Sequence, residues 1–115
     1  MEITLRKENA VNVISAQGRM DAVSAPDFDN FLEKLLSTGE TNFIIDCKHL
    51  EYISSAGLQS ILKAAKKLET TGGRILLCNL RGAVKDVFEI SGFDSIFEIY
   101  DSSEAALEHF NGERP

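Results

Sequence analysis

Two short, uninterrupted apolar runs, Phe43-Ile44-Ile45 and Ile75-Leu76-Leu77-Cys78, constrain this chain more than any other feature. Neither alternates apolar with polar residues, so each reads as a strand covered on both faces. Such strands need helices packed on the sheet, and the flanking sequence supplies them. Phe28, Phe31, Leu32, Leu35 and Leu36 recur at helical spacing before the first run, and Leu58, Ile61, Leu62, Ala65 and Leu68 before the second. Ser24 is placed to cap the first helix, Pro26 is tolerated in its first turn, and Gly39 ends it. Thr70-Thr71-Gly72-Gly73 stops the second helix. Lys63, Lys66 and Lys67 fall on its opposite side and read as a solvated face.

The remaining segments extend the alternation. Ile3 to Arg6 and Val11 to Ala16 are β-prone and separated by Lys7-Glu8-Asn9-Ala10, which predicts an opening hairpin. A shorter helix is expected from Gly82 to Ile90, with Val84, Val87 and Phe88 inward and Ser91-Gly92 as its stop. Ile96 to Tyr100 reads as the last strand. Ser102 or Ser103 then caps a final helix bearing Ala106, Leu107 and Phe110. Lys48 to Ser54 reads as a loop. The expected fold is α/β in the order β-β-α-β-α-β-α-β-α, a mixed sheet, mostly parallel with right-handed crossovers and an antiparallel N-terminal edge. Residues 1–110 form the expected domain and 111–115 a disordered tail.

Composition narrows the functional classes. The 115 residues suffice for one core. A formal net charge of -6 argues against nucleic acid or an anionic membrane surface as the main partner. The apolar runs are too short for membrane insertion, and Met1-Glu2-Ile3-Thr4-Leu5 lacks the features of a secretory signal. Cys47 and Cys78 each lie in an apolar setting without a CxxC pattern, which reads as buried thiols in a reducing compartment, and so as a cytoplasmic protein.

Catalytic patterns are missing from the sequence. There is no GxSxG elbow and no GxxxxGK[ST] loop, and neither His49 nor His109 has a second ligand at metal spacing. No hydrolase elbow, phosphate-cradling loop or histidine metal site is therefore expected. Asp46, at the end of a buried strand, could accept a phosphoryl group as in a receiver domain, but the acidic pair that would hold Mg²⁺ does not accompany it. The simpler expectation is that Asp46 binds loop amides. The segment Tyr52-Ile53-Ser54-Ser55-Ala56-Gly57-Leu58 places two serines at a helix entry. One of them serves as N-cap, and either could be a phosphorylatable or partner-contacting hydroxyl. Ala56 and Gly57 leave the surroundings uncluttered, and Tyr52 and Ile53 could supply apolar contact or anchor the loop.

These residues carry a resemblance. Asp46-Cys47-Lys48-His49-Leu50-Glu51-Tyr52-Ile53-Ser54-Ser55-Ala56-Gly57-Leu58 is similar to the signature Asp-Leu-x-x-(Leu/Val)-x-x-(Ile/Met)-Asp-Ser-(Ser/Thr)-Gly-Leu of bacterial anti-sigma factor antagonists, the single-domain STAS family. Gly18-Arg19-Met20-Asp21 resembles that family's Gly-x-Leu-Asp step, and Gly72-Gly73, Val87-Phe88 and Ser91-Gly92 also match. The resemblance implies a protein without catalytic activity that, unmodified, binds an anti-sigma factor of the serine-kinase type and releases a sigma factor. It further implies phosphorylation on Ser55, less readily on Ser54, that abolishes binding, with reversal by a PP2C-type phosphatase. Asp21, Tyr52, Ile53, Ser54, Ser55, Ala56 and Gly57 become the implied partner-binding residues, and any nucleotide sits in the partner. Ser54 stands where the family has aspartate. That departure keeps open a second role, an unphosphorylated adaptor subunit of an ABC-type lipid transport complex.

Overall fold

A computed structural model describes residues 1–112, with side chains through Phe110. Strands β1 (Glu2–Glu8) and β2 (Val11–Met20) form the expected hairpin, closed by a two-residue turn in which Asn9 takes a positive φ of 56°. There follow α1 (Ala25–Ser37), β3 (Asn42–Asp46), β4 (Leu50–Ile53), α2 (Ser55–Glu69), β5 (Arg74–Cys78), α3 (Gly82–Ser91), β6 (Glu98–Tyr100) and α4 (Ser103–Gly112). The sheet runs β1-β2-β3-β5-β6, antiparallel only at β1-β2, with β4 added against β2. The mixed α/β class and the antiparallel edge are as the sequence predicts. Of the expected tail 111–115, residues 111 and 112 belong to the last helix, and 113–115 lie outside the described residues.

Three local expectations are corrected. The segment expected as a loop between Lys48 and Ser54 contains β4, whose Leu50, Tyr52 and Ile53 lie parallel to Gly18, Arg19 and Met20. The second strand therefore runs on to Met20 instead of stopping at Ala16. It is long enough to pair with β3 over its first half and with β4 over its second. The last strand is shorter than expected: Phe93–Ser95 form a 3₁₀ turn and only Glu98–Tyr100 join β5.

The core lies on both sides of the sheet. One cluster places Phe28 and Leu32 of α1, Ile61 and Leu68 of α2 and Val84 and Phe88 of α3 against Ile14, Met20, Phe43, Ile45 and Leu77. A smaller one sets Ala106 and Phe110 of α4 on Val11, Val13, Ile44, Leu76 and Cys78. Full burial of each large side chain contributes about 1.5–3 kcal/mol. Cys47 and Cys78 are buried free thiols in different clusters. Burial pushes both up in pKa, Cys78 to about 12. Lys63 and Lys67, expected on a solvated face, reach Asp29 (3.3 Å) and Glu33 (2.6 Å) of α1 as exposed ion pairs. Exposed pairs of this kind contribute about 0–1 kcal/mol each. His109 packs beside Tyr100, with its Nε2 3.4 Å from Glu98.

The end of the molecule remote from the serines is pinned by Glu40. Its Oε1 accepts from Lys7 Nζ (2.6 Å) and from the buried Asn12 amide (2.8 Å). The bonds from Lys7 and then Asn12 hold its carboxyl below the ordinary value of 4.5. A carboxyl lowered on folding stabilises the native state above its unfolded pKa and loses that contribution as pH falls through the folded one. Glu40→Gln keeps an acceptor for Asn12 but removes the charge. Thermal unfolding at pH 7 and at a series of values below 4.5 should show a smaller acid loss of Tm for Glu40→Gln than for wild type. Parallel losses would show that the Glu40 charge does not contribute.

Candidate functional site

The two serines are delivered by the β2–β4 pairing. Ile53 ends β4 opposite Met20, and the next amide, Ser54 N–H, donates to the Met20 carbonyl at 2.8 Å. Ser54 keeps extended backbone geometry, with φ -89° and ψ 171°, and serves as the N-cap of α2. Its hydroxyl accepts from Gly57 N–H at 3.3 Å, and its carbonyl accepts from Leu58 N–H at 3.0 Å. The expected capping serine is thus Ser54. An aspartate at an N-cap accepts the same kind of amide bond, so Ser54 can fill the cap that the resembled signature would give to aspartate.

Ser55 is the first residue of α2 and is exposed, as is Ala56. Its hydroxyl has no hydrogen-bond partner among the described residues. Beneath it the chain is tightly packed. A Cβ on Gly57 would lie 2.7 Å from Met20 Sδ and 2.8 Å from Ile53 Cγ1, and both neighbours are buried. Glycine at 57 lets the first turn of α2 settle on β2 and β4. Gly57→Ala, which stabilises most exposed helices by about 1 kcal/mol, should here destabilise by about 1–3 kcal/mol through overpacking. Urea denaturation checks the sign. Ser54→Ala should cost about 1 kcal/mol as a lost cap and leave the fold intact.

The turn after β2 forms the other wall. Asp21 Oδ1 accepts from Val23 N–H and Ser24 N–H, each at 3.0 Å. Ser24 does not cap α1 with its side chain, as the sequence suggested. Its hydroxyl accepts from Asp21 N–H (3.0 Å) and faces the Arg19 carbonyl (2.8 Å) and Asp21 Oδ1 (3.1 Å), so one proton serves either acceptor. The Ser24 amide, then the Ser24 hydroxyl, the Val23 amide and the Arg19 charge hold the Asp21 carboxyl below its usual range. Asp21 therefore stiffens the turn that precedes α1, and it is half-buried.

The implied residues fall into two groups. Ser55, Ala56, Tyr52 and Asp21 retain solvent access, whereas Ile53 and Gly57 are buried and support the loop from within. Two neighbours escaped the sequence reading. Arg19 lies over the Tyr52 ring at 4.5 Å from its centroid, and Val23 is 87% exposed in the Asp21–Ser24 turn. The Arg19–Tyr52 contact becomes visible only once β4 is recognised as a strand. Asp46 behaves as expected, its Oδ1 accepting from Lys48 N–H (3.0 Å) and from the Asn79 amide (2.9 Å). Among the described residues no cluster of His, Cys, Asp or Glu is arranged to hold a metal ion, and no helix is long and apolar enough to cross a membrane.

Comparison with known proteins decides the family. The STAS domain family matches residues 2–106. This chain belongs to the STAS family. BtrV of Bordetella bronchiseptica, named as a candidate anti-sigma factor antagonist, is 37% identical over 115 residues, covering 100% of this chain and 99% of that protein. The fold is shared with TM1081 of Thermotoga maritima, also named as a candidate anti-sigma factor antagonist (TM-score 0.88, 21% identity, 93% of this chain and 92% of that one). It is shared too with the Bacillus cell fate determinant SpoIIAA, solved in its phosphorylated form (TM-score 0.74, 22% identity, 95% and 99%). Within the STAS family the chain thus stands with single-domain proteins named as anti-sigma factor antagonists.

Proposed function

We propose that this chain is a phosphorylation-controlled partner switch, an anti-sigma factor antagonist acting in the cytoplasm. With Ser55 unmodified it binds an anti-sigma factor of the serine-kinase type and so frees a sigma factor. The kinase, which carries the nucleotide, transfers a phosphoryl group to Ser55 and the complex separates. A PP2C-type phosphatase removes the phosphate and resets the protein. The observation that carries this reading is the Ser55 hydroxyl, exposed and without a partner among the described residues on the first turn of a helix whose cap is already filled by Ser54. The names of the relatives support the antagonist role, and the solved phosphorylated SpoIIAA supports a fold that tolerates the modification.

The energetics favour such a switch. Phosphoserine adds about -1.5 to -2 charges at pH 7. On the free protein that charge lies at the positive end of the α2 dipole and in water, where it is tolerated. In a closed interface the same dianion must be desolvated, at a cost of several kcal/mol. About 5.5 kcal/mol inverts a binding equilibrium from 99:1 to 1:99. The penalty therefore falls on the complex and requires no refolding. Ser54 caps the helix as aspartate would, so the helix start that presents Ser55 is kept although the carboxylate charge is not.

Incubation with the cognate serine-kinase anti-sigma factor and ATP should add one phosphate, located on Ser55 by peptide mass. Ser55→Ala should bind the kinase without being modified. Ser55→Asp should bind at least about tenfold more weakly, a loss of about 1.4 kcal/mol or more. Equal affinity of wild type and both variants, with no mass gain, would favour the adaptor role instead.

A further inference from the structure

The surface around Ser55 carries recognition chemistry that the switch itself does not use. Arg19 is exposed, and among the described residues no carboxylate lies within ion-pair distance of its guanidinium and no hydrogen bond engages it. It is nonetheless held in place. Strand pairing sets Arg19 opposite Tyr52, and the guanidinium rests on the ring at 4.5 Å. A stacked arginine loses less side-chain entropy when it binds than a free one, and all five of its N–H donors remain available. Four residues further on, Val23 projects at 87% exposure from a turn fixed at both ends by Asp21 and Ser24. A β-branched side chain on a fixed turn is likewise pre-organised. Both features connect directly to the switch loop, since Met20, between Arg19 and Asp21, accepts the Ser54 amide.

Building on the function proposed above, we infer that Arg19, laid over Tyr52, recognises a carboxylate on the anti-sigma partner, and that Val23 enters an apolar hollow beside it. Arginine and tyrosine are, with tryptophan, the side-chain types enriched where binding energy concentrates at interfaces. A cation with no ion-pair partner among the described residues, its charge felt by Asp21 alone, also favours an acidic contact locally on a protein of net charge -6. The partner is thus a protein whose docking face places an acidic group next to an apolar depression.

The test is affinity for the purified cognate serine-kinase anti-sigma factor, at low and high salt, with circular dichroism as a check on folding. Arg19→Glu should weaken binding at least about tenfold and flatten its salt dependence, whereas Arg19→Lys should keep part of the affinity and its salt dependence. Val23→Asp, which would bury a charge in that apolar hollow, should also weaken binding about tenfold. Ile90→Asp is the control: Ile90 is equally exposed at 87%, at the far end of α3, and its substitution should leave affinity unchanged. Wild-type affinity in Arg19→Glu, or equal loss in Ile90→Asp and Val23→Asp, overturns this inference alone. A wild-type protein that neither binds the kinase nor gains phosphate overturns the proposed function and this inference with it.

Discussion

The serine-bearing end of this molecule depends on the length of one strand. β2 has ten residues and serves two partners in succession, β3 and then β4. Without the second pairing, Ser54 N–H would lose the Met20 carbonyl, Tyr52 would lose its place beneath Arg19, and α2 would start somewhere else. The pairing also explains the close contact of Gly57 with Met20 and Ile53, because each of those two side chains occupies the final inward position of its strand. The serine loop therefore continues the sheet's hydrogen bonding through Ser54.

Most of the architecture could be read from apolar periodicity. The two continuous runs became β3 and β5, and the three-four spacing before them became α1 and α2. Glycine punctuation worked where the backbone needs it, as at Gly92, which ends α3 with a φ of 79°. Periodicity failed at β4 because four residues, one of them the charged Glu51, give too short a pattern to distinguish a strand from a loop. It failed at the end of β2 because Gln17, Gly18 and Arg19 look like a turn. Gly18 does carry a positive φ of 98°, but as an irregularity in pairing that then resumes through Met20. β6 was overextended since Ile96 and Phe97 are β-prone, yet the 3₁₀ turn before them consumes the register.

The site was legible to a different depth. The signature spacing singled out Ser54 and Ser55 and left their roles open between capping and chemistry. Geometry divides the work: one hydroxyl is spent on the helix amide, and its neighbour faces water. Asp21 also acquires a physical role that spacing could not supply, because only the folded turn shows its carboxylate collecting amides from Val23 and Ser24. A cross-strand contact such as Arg19 on Tyr52 leaves no trace in spacing at all, since the residues lie far apart in the chain and meet only through pairing.

The lack of space under Gly57 has a temporal consequence. A helix start seated this closely on Met20 and Ile53 leaves little room to rearrange around a phosphate, and the ester itself is lost only when its P–O bond is cleaved. In the proposed switch, the duration of each state would be written entirely by the enzymes that make and cleave the ester. The domain itself would act as a durable record, rewritten only from outside.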